Sequence, residues 1–108
     1  MPAAGEIPRG NLRGDPIRGA ALYAQYCTTC HGEKGHGDGP AAAAMKPPPA
    51  DHTDPARMGA LADADLYEVI QKGGVAVGKS PLMAAWGALL DDSQIRDLIA
   101  FVRQLSGT

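Results

Sequence analysis

Bulky aromatic side chains are scarce in this chain of 108 residues: it has one tryptophan, one phenylalanine and three tyrosines, 5% of the total. Hydrophobic residues reach 44%, but much of that is alanine, so the chain has little of its own with which to fill an interior. Only two cysteines are present, and without a second pair the four-thiolate zinc sites are excluded. No apolar run approaches the roughly 20 residues of a membrane-spanning helix. Residues 1–14 also lack the apolar stretch of a secretory leader. The net charge of −2 comes with no dense Lys/Arg run, which argues against binding to nucleic acid. No segment alternates polar and apolar residues as a half-buried strand does. That absence excludes the βαβ setting of a thioredoxin-like dithiol. There is no internal repeat, and the length allows one small domain.

Most of the fourteen glycines and nine prolines gather between residues 32 and 60 and between 73 and 87, which predicts long loops wrapped around something. Before, between and after them lie three helical segments. The first opens at Asp15-Pro16, a capping residue followed by proline at the first helical position, and runs through Ala20, Leu22 and Tyr23 towards Cys27. The second opens at Asp63, carries Leu66, Val69 and Ile70 on one face, and stops at Gly73-Gly74 just after Lys72. The third has Asp91 and Gln94 at capping-box spacing, then Ile95, Leu98, Ile99, Val102 and Leu105 at three- and four-residue steps. The expected class is all-α.

The run Cys27-Thr28-Thr29-Cys30-His31 carries the chemistry. Two thiols three positions apart, followed at once by histidine, form the attachment signature of a c-type haem: the thiols add to the porphyrin vinyl groups, and His31 then lies beneath the iron. Zinc would need His31 and His36 as further ligands, and a dithiol site would need a sheet; a helix leading into the motif suits haem better. One haem c, thioether-linked through Cys27 and Cys30, would also supply the missing bulk. Burial of about 400 Å² of its surface at ~25 cal/mol per Å² amounts to roughly 10 kcal/mol, so the haem-free chain is expected to be largely unfolded. His31 needs its other ring nitrogen held, a task that suits a stiff carbonyl of the proline-rich loop; Pro48 and Pro49, with Pro47 and Pro40, are the candidates. For the opposite axial position, Met45, Met58 and Met83 are available, and the spacing favours Met83, beyond the second helix. His36 or His52 would instead give bis-histidine ligation. Haem attachment of this kind follows export, so the expected location is periplasmic or otherwise extracytoplasmic. Residues 1–14 read as an N-terminal extension or linker, and 15–108 as the haem domain.

Four blocks in this order resemble the class I (monohaem) cytochrome c family of bacterial type. They are Gly19-Ala20-Ala21-Leu22-Tyr23 leading into Cys27–Gly32, the loop Gly35-His36-Gly37-Asp38-Gly39-Pro40, the segment Ser80-Pro81-Leu82-Met83-Ala84-Ala85-Trp86-Gly87, and Asp91 to Leu105. The resemblance implies the cytochrome c fold, three main helices with long loops around one covalent haem. It also implies His31 and Met83 as the metal ligands, and Trp86 beside the haem donating its indole N–H to a propionate. Arg57, His52 and Lys79 are weaker propionate candidates. The first and last helices of the family cross, which would bring Gly19 and Tyr23 against Leu98 and Phe101. Many relatives have proline directly after the ligand methionine; this chain has Ala84, which leaves that loop less rigid.

The function this implies is one-electron transfer between redox partners such as an oxidase or reductase, rather than catalysis, with Lys34, Lys46, Lys72 and Lys79 placed to ring the haem edge. Two alternatives differ in class. The chain would be the haem c module of a larger oxidoreductase or membrane complex, or a ligand-binding haem sensor or enzyme in which Met83 is displaceable.

Overall fold

A computed structural model of the chain describes residues 7–45, 51–74 and 85–108. Among the described residues there are five α-helices and no strand. Helix α1 (Pro16–Tyr26) starts where Asp15 accepts a hydrogen bond of 2.8 Å from the Ile17 N–H, with Pro16 at the first position. Helix α2 (Thr28–His31) is a single turn that follows almost without a break. Helix α3 (Pro55–Gly59) opens on Asp54, which accepts from the Ala56 N–H at 3.0 Å. Helix α4 (Asp63–Lys72) has Asp63 and Asp65 in its first turn and Lys72 in its last, charges that complement the helix dipole at both ends. Helix α5 (Asp92–Ser106) has the full reciprocal cap: Gln94 N–H donates to Asp91 at 2.9 Å, and Asp91 N–H donates to the Gln94 side chain at 3.0 Å. The three helices expected from local signals are therefore α1, α4 and α5. Helix α3 was expected as loop, although Asp54-Pro55 repeats the opening signal of Asp15-Pro16; five residues are too few to show a periodic apolar face.

Helices α1 and α5 pack against one another and form the frame. Their backbones meet at Gly19, where a Cβ would collide with the Asp97 carbonyl oxygen and press on the Phe101 side chain. Glycine is required there because only a missing side chain lets the two helices approach so closely. One turn on, the Tyr23 ring lies 5.1 Å from that of Phe101, as the crossing expected from the sequence requires. Leu98 and Ile99 are fully buried beneath. The same seam holds one buried charge: Asp97, 4% exposed, accepts from the Asp15 N–H at 2.7 Å and from Arg18 Nε at 3.1 Å. An exposed arginine and a helix-start amide together supply the partners that a buried carboxylate needs.

A second polar node ties α5 to the α3–α4 corner. Arg103 donates to Asp63 Oδ1 (2.9 Å), to the Met58 carbonyl (2.6 Å) and to the Leu61 carbonyl (2.7 Å). The other oxygen of Asp63 accepts from the Leu12 N–H at 2.8 Å. Leu12 is itself buried in the core, so part of the N-terminal segment packs on the helices. Met58, fully buried, sits in the same core as Leu66, Tyr67 and Ile95. The Tyr67 hydroxyl donates to Asp92 at 2.9 Å, and burial with that acceptor pushes its ionisation up to about 12.

Candidate haem-attachment site

The end of α1 builds the site. Cys27 caps α1, its N–H donating to the Tyr23 carbonyl at 2.9 Å, and the same residue opens α2. His31 N–H then donates to the Cys27 carbonyl at 2.9 Å, and the Thr28 hydroxyl reaches back to the Ala24 carbonyl at 3.0 Å. Cys27, Cys30 and His31 thus sit on one helical turn joined rigidly to α1, with Cys27 half-buried against the core and His31 only 7% exposed. The turn ends at Gly32, whose φ of 80° lies in the left-handed region that favours glycine. From there the chain folds back over α2: Gly37 N–H donates to the His31 carbonyl at 2.8 Å, and Ala41 N–H to the Thr29 carbonyl at 2.8 Å. The loop is rich in glycine because Gly37 shares the left-handed φ of Gly32, and a Cβ on Gly39 would collide with the Thr28 and Thr29 carbonyls.

His52 occupies a place that sequence reasoning did not foresee. Its ring is stacked on His31, with centroids 4.0 Å apart and planes within 21°. Its Nδ1 shares a hydrogen bond of 2.9 Å with the Tyr23 hydroxyl, and its backbone N–H donates to the Gly35 carbonyl at 2.7 Å. Burial pushes the His52 imidazole down to about 3, helped by the neighbouring His31, so it is neutral at ordinary pH. Burial also raises the Tyr23 phenol, with the Asp51 charge acting in the same direction. An axial ligand opposite His31 must lie in line with the ring nitrogen, in the plane of the ring. His52 lies over the ring face instead, so the arrangement does not suit bis-histidine ligation through it. His36 is exposed and turned to Thr53 (3.2 Å) and Asp51 (3.6 Å). No signal in the sequence distinguished His52 from a loop histidine; its position depends on partners distant in the chain, the Gly35 carbonyl and the Tyr23 hydroxyl.

Trp86 is half-buried, its ring 5.1 Å from that of Tyr26, the last residue of α1, which places it at the attachment turn. Met45 and Met58 are buried, Met58 within the helical core. Lys34, Lys72 and Arg57 are exposed. Met83, Pro47, Pro48, Pro49, Lys46 and Lys79 lie outside the described residues. Among the described residues, no group of three His, Cys, Asp or Glu side chains could hold a metal ion by itself, and no helix is long and apolar enough to cross a membrane.

A small helical frame that presents two cysteines and a buried histidine on one turn defines a c-type cytochrome. Over residues 14–102 the chain matches the family described as cytochrome C oxidase, cbb3-type, subunit III, and it belongs to that family. It is also similar to a solved chain of the Kuenenia stuttgartiensis reducing HAO-like protein complex, with 28% identity and a TM-score of 0.67. That similarity covers 93% of this chain but 44% of the solved one, so the present chain spans less than half of that structure's length. Among curated proteins nothing matches significantly. The chain is thus a cytochrome c domain that carries a covalent haem c and serves electron transfer. The site fits that group: the thiols and the imidazole have the chemistry of its attachment, and the histidine is already withdrawn from water.

Proposed function

We propose that the chain is a one-electron carrier holding one haem c through Cys27 and Cys30, with His31 and Met83 as the axial ligands. The observation that carries this reading is the α1–α2 turn, which delivers both attachment cysteines and a buried, stacked His31 from one rigid element. A covalently held haem supplies reversible one-electron chemistry. His31 coordinates from one side, and its burial keeps water from competing for the same position. The places of His52, His36 and Met58 tell against these three for the other side: one lies over the His31 face, one points outward, and one is committed to the core. Between Met45 and Met83, the spacing and the family resemblance favour Met83. Methionine ligation raises the reduction potential relative to histidine, and an apolar surround penalises the more highly charged ferric form. The midpoint is therefore expected to be positive. Pro48 and Pro49 would stiffen the loop that orients His31, and Trp86 would hold a propionate through its indole N–H.

Exposed Lys34 and Lys72, with Lys46 and Lys79, would steer an acidic redox partner, so that association slows as salt rises. Because attachment of this haem follows export, the site of action is the periplasm or another extracytoplasmic space. Optical spectra of both oxidation states, with a Met83→His comparison, test the ligand assignment. The weak far-red methionine–iron band should be present in the parent and lost in the variant with the fold retained. Rapid and complete carbon monoxide binding by the reduced parent would show a displaceable Met83 and favour a sensor or enzyme.

A second reading has its own support. The matched family is a subunit of an oxidase, and the similar solved chain is more than twice as long as the matched region. On that reading the domain is the haem module of a larger oxidoreductase, passing electrons within an assembly.

A further inference from the structure

We propose that His52 is a positioning residue for the proximal histidine: its imidazole, laid face to face on His31 and tethered by Tyr23, sets the rotational orientation of the His31 ring. The inference rests on the reading of His31 as axial ligand. A ligand imidazole can turn about its metal–nitrogen bond unless its other nitrogen is bonded or something presses on its faces, and the two restraints act together. Here the parallel ring of His52, 4.0 Å away, covers one face at contact distance.

His52 is in turn held at two points, and neither belongs to its own side-chain torsions. Its backbone is bonded to Gly35 at 2.7 Å, within the loop that folds back on α2. Its Nδ1 is bonded to the Tyr23 hydroxyl at 2.9 Å. Tyr23 is 2% exposed and wedged against Phe101 of α5, so it offers a fixed point rather than a flexible one. An aliphatic residue at position 52 would fill the same space without a flat face. A phenylalanine would stack without the tether. Histidine supplies both, and the orientation of the His31 ring is thereby referred through Tyr23 to the α1–α5 crossing.

The orientation of an axial imidazole determines which iron d orbital it overlaps, and so the distribution of unpaired spin around a ferric porphyrin. The four haem-methyl proton resonances of the ferric holoprotein respond to this orientation together with that of the opposite ligand. His52→Leu is expected to reorder or compress these resonances, His52→Phe to restore most of the parental pattern, and Tyr23→Phe to shift it in the same sense as Leu but less. A change in packing alone would alter the melting temperature and leave the methyl pattern in place. An unchanged pattern in His52→Leu overturns the proposal. If that variant does not mature, an unchanged pattern in Tyr23→Phe does so. The parent spectrum separates the two levels of the argument: absence of strongly shifted resonances from His31 removes the ligand reading itself, whereas their presence with no movement in the variants removes only the role given to His52.

Discussion

Replacing Arg103 by alanine should be among the most damaging single changes outside the haem site. The side chains of Arg103 and Asp63 are 18% and 12% exposed, so the pair is largely withdrawn from solvent. Three hydrogen bonds leave the guanidinium, one to a carboxylate and two to backbone carbonyls at the α3–α4 corner. Truncation takes the arginine from all three acceptors at once; Asp63 keeps the Leu12 amide and the Met58 carbonyl keeps the Leu61 N–H at 3.2 Å. Removing one side of a buried pair costs about 3–5 kcal/mol. The residual exposure and the Leu12 bond place this case near the lower end, at about 3 kcal/mol. With 1.4 kcal/mol per decade, that is roughly a hundredfold in the folding equilibrium, a large part of the ~5–15 kcal/mol available to a domain. Urea unfolding of the holoprotein followed by far-ultraviolet circular dichroism measures it, and the covalent haem stays with the unfolded chain. The midpoint should fall with an unchanged slope. Arg103→Lys should recover part of the loss, because it keeps the charge but cannot reach both carbonyls as a planar fork does. In a double-mutant cycle with Asp63→Asn, a coupling of at least about 1 kcal/mol is expected. A loss below about 1 kcal/mol in Arg103→Ala would refute the reasoning, since it would mean that water satisfies the stranded groups.

Other expectations follow from the same geometry. Gly19→Ala forces a methyl group into the Asp97 carbonyl and should cost at least ~2 kcal/mol, read as a lower melting temperature; an unshifted melt would mean that the helices separate without penalty. Tyr67, with its ionisation raised from 10.0 to about 12, favours the folded state as neutral phenol. Its contribution is complete below pH 10 and is lost as pH rises from 10 to 12, where the unfolded chain has already released the proton. Denaturation midpoints across that range should fall in the parent and fall less in Tyr67→Phe, in which Asp92 keeps its 2.9 Å bond to Arg96. The haem-free chain, made by replacing Cys27 and Cys30, should lack a cooperative melt; a native-like transition would show that the helices are stable without the group they enclose.

Much of the frame is legible because its signals are local. Asp15-Pro16, Asp91 with Gln94, and Gly73 after Lys72 each mark a helix end through bonds made within a few residues, and each is found in place. The α1–α5 crossing was legible from Gly19, Tyr23 and Phe101 through the family resemblance, and the close approach at Gly19 supplies its physical cause. Polar groups buried by distant partners were not legible. Asp97 stands on a helix whose apolar periodicity says nothing of a carboxylate at the seam, and its partners Asp15 and Arg18 are about 80 residues earlier. Arg103 and Asp63 look like ordinary surface charges until α5 is laid across the α3–α4 corner.

By itself the sequence pointed to the chemistry of attachment, since thiols three apart followed by histidine need only one helical turn to form the proposed haem site. It determined the all-α class and the ends of the three main helices for the same reason: capping and periodicity are short-range properties. Only the tertiary structure decided the surroundings of His31. A histidine in a proline- and glycine-rich loop has no local pattern that says where its ring will go. The return of residues 32–41 over α2, with the His52 N–H bonded to the Gly35 carbonyl, brings His52 onto the His31 face and under the Tyr23 hydroxyl, a meeting of three rings that no spacing encodes.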